Sequence, residues 1–127
     1  MLTCPFCEFE QAGIVAESEL AVALWDAHPV TEGHTLVVPR LHVTSIYQLS
    51  VQDQAALWVM VGQVREALIR RFAPDGINIA VNDGLAAGQT IDHAHIHIIP
   101  RRNGDVPDAR GGVRNIIPSR HVTGKSE

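Results

Sequence analysis

The 127-residue sequence predicts an α+β domain, an antiparallel β-sheet with one long helix packed on one side. Three observations carry that prediction. Short strand-like runs lie on both sides of a single long helical stretch, and the connections between them are mostly short. There are also too few helical segments to alternate with strands in a parallel, doubly wound sheet. With 46% hydrophobic and 19% charged residues, the composition is that of one globular domain able to bury a core without disulfide staples.

The elements follow in order. Ile14 to Glu17 and Glu19 to Trp25 read as two strands joined at Ser18 in a hairpin. Pro29 and Gly33 break the pattern across Asp26 to Gly33. His34 to Val38 is a compact apolar strand ended by Pro39, which lacks an N–H and so belongs at a strand end or sheet edge. Ser50 is a helix N-cap with Asp53 at the acidic capping position, and Leu57, Val61, Val64, Leu68 and Phe72 then recur on one helical face. Gln54, Gln63, Arg65 and Arg70 mark the solvated side, and Ala73-Pro74-Asp75-Gly76 stops the helix. Ile77 to Val81 is a further strand running into the turn Asn82-Asp83-Gly84. The small-residue loop Gly84 to Gly88 then leads directly into the last strand. One domain is expected over residues 1–105, an aperiodic extension over 106–118 and a disordered end over 119–127.

A net charge of -4 and a pI near 5.9 give no basic footprint, which argues against nucleic acid as the main partner but allows a small anion to bind locally. No run approaches the roughly 20 apolar residues of a membrane span, and Met1 to Cys7 lacks a charged and then apolar leader, so no membrane association and a cytoplasmic location are expected. The only cysteines, Cys4 and Cys7, form a Cys-x-x-Cys pair. That pair suits half of a zinc site, reduced thiols or a redox couple better than a disulfide framework.

The most informative segment spans residues 89–100, where His93, His95 and His97 occupy every second position. On a strand this period places all three imidazoles on one face, with Ala94, Ile96 and Ile98 on the other. On a helix of roughly 3.6 residues per turn they would diverge. A bare row of this kind leaves three readings open: a metal site, a catalytic group, or incidental histidines. Its surroundings favour an anionic oxygen as ligand. Gly84 and Gly88 let backbone N–H groups approach, and Asn82, Gln89 and Thr90 offer neutral donors, with no Walker lysine motif.

The stretch Gly88-Gln89-Thr90-Ile91-Asp92-His93-Ala94-His95-Ile96-His97-Ile98-Ile99 resembles the signature of the histidine triad family of nucleotide-binding hydrolases and transferases. The likeness extends to Gly33-His34-Thr35-Leu36-Val37-Val38-Pro39, to Asn82-Asp83-Gly84 and to Asp26, and covers about residues 4–105. Residues 83–90, Pro100-Arg101 and Gly104-Asp105 are similar to the fragile-histidine-triad branch, which cleaves dinucleoside polyphosphates; Asp26 instead resembles the phosphoramidase branch.

The resemblance implies that His95 attacks the α-phosphorus of an adenosine-containing nucleotide to form a nucleotidyl-histidine, while His97 assists the leaving group. It implies phosphate or ribose contacts from Asn82, Gly88, Gln89 and Thr90, a base pocket near the first hairpin and Trp25, and ribose contacts from Asp26. The plain alternatives are a turn residue for Asp26 and a core residue for Trp25. For His34 the expected role is to hold the triad's hydrogen bonds. Zinc-binding family members further imply a structural zinc on Cys4, Cys7, His42 and His93, with no organic cofactor. A homodimer is implied too, with Trp58 and Val59 outside the helix's core stripe available to the contact. Beside dinucleoside polyphosphate hydrolysis stand adenosine phosphoramidate hydrolysis, a nucleotide-binding adaptor with little turnover, and a metal-dependent enzyme using the triad as ligands.

Overall fold

The computed structural model describes residues 3–120. Its sheet has five strands: β1 (Ile14–Glu17), β2 (Ala21–Trp25), β3 (Thr35–Pro39), β4 (Gly76–Val81) and β5 (Ile96–Arg101). They lie in the order β1-β2-β3-β5-β4 with every pair antiparallel, and one long helix, α1 (Val51–Phe72), packs on one face. The expected fold class is therefore the observed one.

Local chemistry sets the element ends. β2 starts at Ala21 rather than Glu19, because Ser18 Oγ accepts the Ala21 N–H at 3.1 Å while the Ser18 N–H donates to the Ala21 carbonyl at 2.8 Å. This closes the turn with Glu19 and Leu20 at its tip. Ser50 caps α1 by accepting the Asp53 N–H at 3.1 Å, satisfying one of the donors a helix start leaves unpaired. The helix stops at Ala73 in the left-handed region, φ 46°, directly before Pro74.

The sheet is covered on both sides. Leu57, Val61, Val64 and Leu68 of α1, joined by Met60, pack on Ala21, Ala23, Val37, Ala94, Ile96 and Ile98. On the other face Val22, Leu24, Leu36 and Val38 meet Phe6, with Phe9, Ile14 and Ile91 at the margin. This explains why β2 and β3 read as continuous apolar runs rather than alternating ones. Leu68→Ala, at a side chain 1% exposed, is expected to cost about 2–5 kcal/mol. A urea midpoint unchanged from the parent protein would show that the helix contributes less than this packing implies.

β3 is central, yet it ends in proline. The β3–β5 ladder covers only Thr35 to Val37, so Pro39 lies beyond it and is paired only on the β2 side, with Ala21. The same short ladder corrects the histidine strand. β5 begins at Ile96, so only His97 of the triad lies within it. The Ala94 N–H is diverted to the Val43 carbonyl at 2.7 Å, a connection between segments far apart in sequence. The alternation nevertheless persists: Ala94, Ile96 and Ile98 face the helix, while His95 and His97 face away from it into a cleft.

Beyond residue 105 the chain is mainly irregular, with short 3₁₀ turns at Gly112–Asn115 and Pro118–Arg120. Of the end expected to be disordered, residues 119 and 120 fall in the second turn and residues 121–127 lie outside the described residues. No helix among the described residues is long and apolar enough to cross a membrane.

Candidate active site

A cleft of about 580 Å³ opens on the sheet face opposite α1. That volume falls within the range of small-ligand pockets. Leu24 and Leu36 contribute to its lining from the central strands, with Phe6, Phe9 and Ile91 as further apolar groups. His95, His97, Asn82, Gly88 and Thr90 supply polar groups, and Trp25, Asp26 and His34 also line it.

The hydrogen-bond partners of the histidines fix where their protons sit. The Val30 N–H donates to His34 Nδ1 at 3.1 Å, so neutral His34 carries its proton on Nε2. That Nε2–H lies 2.9 Å from His97 Nδ1 and 3.3 Å from Asp26 Oδ2. His97 Nδ1 therefore accepts, and the His97 proton resides on Nε2. His95 is polarised the opposite way: its Nδ1–H donates to the His93 carbonyl at 2.8 Å, which leaves Nε2 as the lone-pair nitrogen. One cleft thus holds an imidazole with a free lone pair beside an imidazole that carries a proton, their ring centroids 5.1 Å apart.

Burial holds both accessory histidines neutral. Desolvation, followed by the nearby His95 and His34, lowers the pKa of His97 to about 4, with Asp26 opposing. Desolvation lowers that of His34 as well, again opposed by Asp26. Since a histidine in the unfolded chain protonates at about 6.5, the unfolded chain binds more protons at His97 than the folded chain does between that pH and about 4. At His97 the stability of the neutral ring is therefore present above the upper limit and lost as pH falls through the window, and His34, shifted in the same direction, adds to the loss as pH falls. Denaturant midpoints measured from pH 7 to pH 4 are expected to fall, and replacing His97 with glutamine should flatten the slope.

Asp26 serves two local roles. Its Oδ1 accepts the His28 N–H at 2.8 Å, the turn role, while Oδ2 faces His34. Trp25 is half-buried, edge-on to Phe72 at 6.1 Å with the Arg71 guanidinium 5.3 Å from its ring centroid. It is both packed and cleft-lining. Gly88 has φ 99°, a backbone conformation that glycine adopts without Cβ strain, and stands next to Asn82.

Gln89, expected among the phosphate contacts, does not line the cleft. It is 6% exposed and its amide is engaged internally, Oε1 accepting the Gly84 N–H and Nε2 donating to the Thr44 and Ile91 carbonyls. Gln89 holds the glycine loop in shape from behind rather than lining the cleft. Conversely, Phe6 and Phe9 line the cleft although nothing in the sequence singled them out as contacts. The available signal was the placement of Phe6 between the two cysteines.

A second cluster stands next to the cleft. Cys4 Sγ lies 3.3 Å from His93 Nδ1, Cys7 Sγ 3.2 Å from His42 Nδ1 and 3.6 Å from His93 Nδ1, and the two Nδ1 atoms are 3.1 Å apart. His93 is fully buried and donates Nε2–H to the Pro39 carbonyl at 2.7 Å, so its Nδ1 lone pair faces the cluster. All four donor atoms lie within 4.8 Å of one another. A tetrahedral zinc with standard bond lengths spaces nitrogen and sulfur ligands by about 3.3–3.8 Å, so this donor set fits such an ion with little adjustment.

The cleft and its oppositely polarised histidines define a small α+β protein built around a histidine cluster. A HIT domain model matches residues 9–104, and the chain belongs to the HIT, or histidine triad, family. It is 39% identical over 95 residues to a bis(5'-adenosyl)-triphosphatase of Dictyostelium discoideum, covering 75% of this chain and 64% of that enzyme. It is 34% identical over 106 residues to an adenosine 5'-monophosphoramidase of Schizosaccharomyces pombe, covering 80% of this chain and 77% of that enzyme. A zinc-bound histidine triad family protein from Mycobacterium smegmatis has a similar structure, with TM-score 0.69 and 37% identity over 81% of this chain and 78% of its own.

Proposed function

We propose that this protein is a nucleotide hydrolase that cleaves adenosine-containing substrates at the α-phosphate through a covalent nucleotidyl-His95 intermediate. The observation that carries this reading is the opposed polarity of two neighbouring histidines, a lone pair on His95 Nε2 and a proton on His97 Nε2. His95 Nε2 attacks the α-phosphorus and forms a P–N bond while the bond to the leaving group breaks, its electron pair departing with the leaving oxygen. His97 Nε2–H donates a hydrogen bond to that oxygen as charge develops on it. Water then attacks phosphorus, the P–N electron pair returns to His95, and the water proton passes to bulk solvent.

In this reading the apolar end of the cleft, lined by Phe6, Phe9, Leu24 and Leu36, takes the base. Asp26 faces the ribose, with Trp25 at its side, and Asn82, Thr90 and the Gly88 backbone receive the phosphates. His34 is a positioning residue that orients His97. Dinucleoside polyphosphates are the favoured substrates. A nucleotide leaves as a stable phosphate anion and needs only a hydrogen bond, whereas an amine leaving group also needs a proton, which His97, with a pKa of about 4, does not carry in excess at neutral pH. Phosphoramidates are the second substrate class.

Cys4, Cys7, His42 and His93 would hold a structural zinc, which supplies a crosslink between the N-terminal segment and the triad and takes no part in bond making. A metal ligated by all three triad histidines is disfavoured, because His93 directs its free nitrogen to the cysteines. Residues 1–105 form the catalytic unit, and two copies pair through α1, where Trp58 is 44% and Val59 60% exposed. The test is to quench protein and radiolabelled diadenosine triphosphate during turnover and look for AMP-labelled chain. Label on His95 is expected; turnover without any label during single-turnover conditions would overturn the covalent route.

A further inference from the structure

Phe6 stands between the two candidate metal-binding thiols and also packs against the triad. It is 6% exposed, and its ring centroid lies 4.9 Å from that of His95 and 5.8 Å, edge-on, from that of His93. Phe6 and Phe9 both line the cleft, so the segment that carries Cys4 and Cys7 also supplies its aromatic wall. How this segment is held decides the rest. Within it, the Cys7 and Glu8 N–H groups bond back to the Cys4 carbonyl. Among the described residues, the hydrogen bonds connecting residues 4–9 to the rest of the chain run through the two sulfurs to His42 and His93. The remaining attachment is apolar contact.

We propose that metal binding and nucleotide binding are coupled through Phe6: an ion on Cys4, Cys7, His42 and His93 locks the Cys4-Pro5-Phe6-Cys7 turn and so sets the wall against which the nucleotide base and the His95 ring pack. This rests on the nucleotide and zinc reading above and adds a linkage between its two sites. Linkage is reciprocal, so a nucleotide that binds better to the metal-loaded protein raises the affinity for metal by the same factor. Phe6 acts here as a positioning residue, since it moves no proton and ligates no metal.

The probes are zinc and AMP. AMP is titrated calorimetrically into zinc-loaded and metal-stripped protein, with far-UV circular dichroism reporting whether the stripped protein stays folded. AMP affinity is expected to be about tenfold weaker without metal, within the usual span of such couplings. Saturating AMP should raise zinc affinity by the same factor in competition with a chromophoric chelator. A Cys4→Ser/Cys7→Ser double variant should bind AMP as the stripped protein does. Phe6→Ala should abolish the effect of AMP on zinc affinity and raise KM more than it lowers kcat, while Phe6→Leu should keep most of both. Equal AMP affinity with and without metal overturns the coupling alone. A stripped protein that unfolds also overturns it, because the ion then supports the whole domain rather than the wall. Failure of AMP to bind the zinc-loaded protein removes the nucleotide reading, and the coupling with it.

Discussion

His95→Asn is expected to lower kcat/KM for diadenosine triphosphate by roughly 10³- to 10⁶-fold, the range for loss of a covalent nucleophile, with little change in thermal stability. Asparagine suits the test because its amide can replace the bond that the ring Nδ1–H makes to the His93 carbonyl, 2.8 Å in the parent protein. What disappears is the lone pair on Nε2. His97→Gln should cost less, because it removes a hydrogen-bond donor and leaves the nucleophile in place. A pre-steady-state burst that survives in His95→Asn would assign the attack to another group.

His93→Ala is expected to reduce stability by about 3–5 kcal/mol and to abolish stoichiometric zinc binding. Three losses coincide at this residue: a fully buried ring, the donor to the Pro39 carbonyl, and the nitrogen that faces both sulfurs. Cys4→Ser removes one of those sulfurs and leaves the ring's packing intact, so it should lower metal affinity with a smaller loss of stability. Denaturant titration combined with metal analysis separates the two effects. Equal destabilisation by both substitutions would mean that the ion, and not the packing of His93, supports this region.

The parts legible in the sequence are those set by neighbours along the chain. The cap at Ser50, the periodic stripe of α1 and the stop at Ala73-Pro74 depend on contacts within one turn of helix. The two-residue period of the triad was equally plain, because it separates the face of Ala94, Ile96 and Ile98 from that of the histidines. What stayed hidden depends on distant partners. The late start of β5 follows from the Ala94–Val43 bond, and the inward turn of Gln89 follows from the Thr44 carbonyl, 45 positions away. Phe6 reaches the cleft on a segment whose Cys4 meets His93, at a separation of 89 residues, and packs there on Val22, Leu24, Leu36 and Val38. Met60 joins the core because the buried face of α1 is wider than its narrowest stripe.

The short ladder between β3 and β5 has a consequence for anyone transplanting this motif. With only three residue pairs, ending at Ile96, the two strands hold His97 but part before reaching His95 and His93, and the backbone oxygens at Pro39 and His93 receive ring protons. The imidazoles complete, as side chains, a sheet that the backbone leaves unfinished. A His-x-His-x-His sequence grafted onto a fully paired strand would keep its spacing but lose the carbonyls that sort its tautomers. The scaffold to copy is therefore one that stops pairing early.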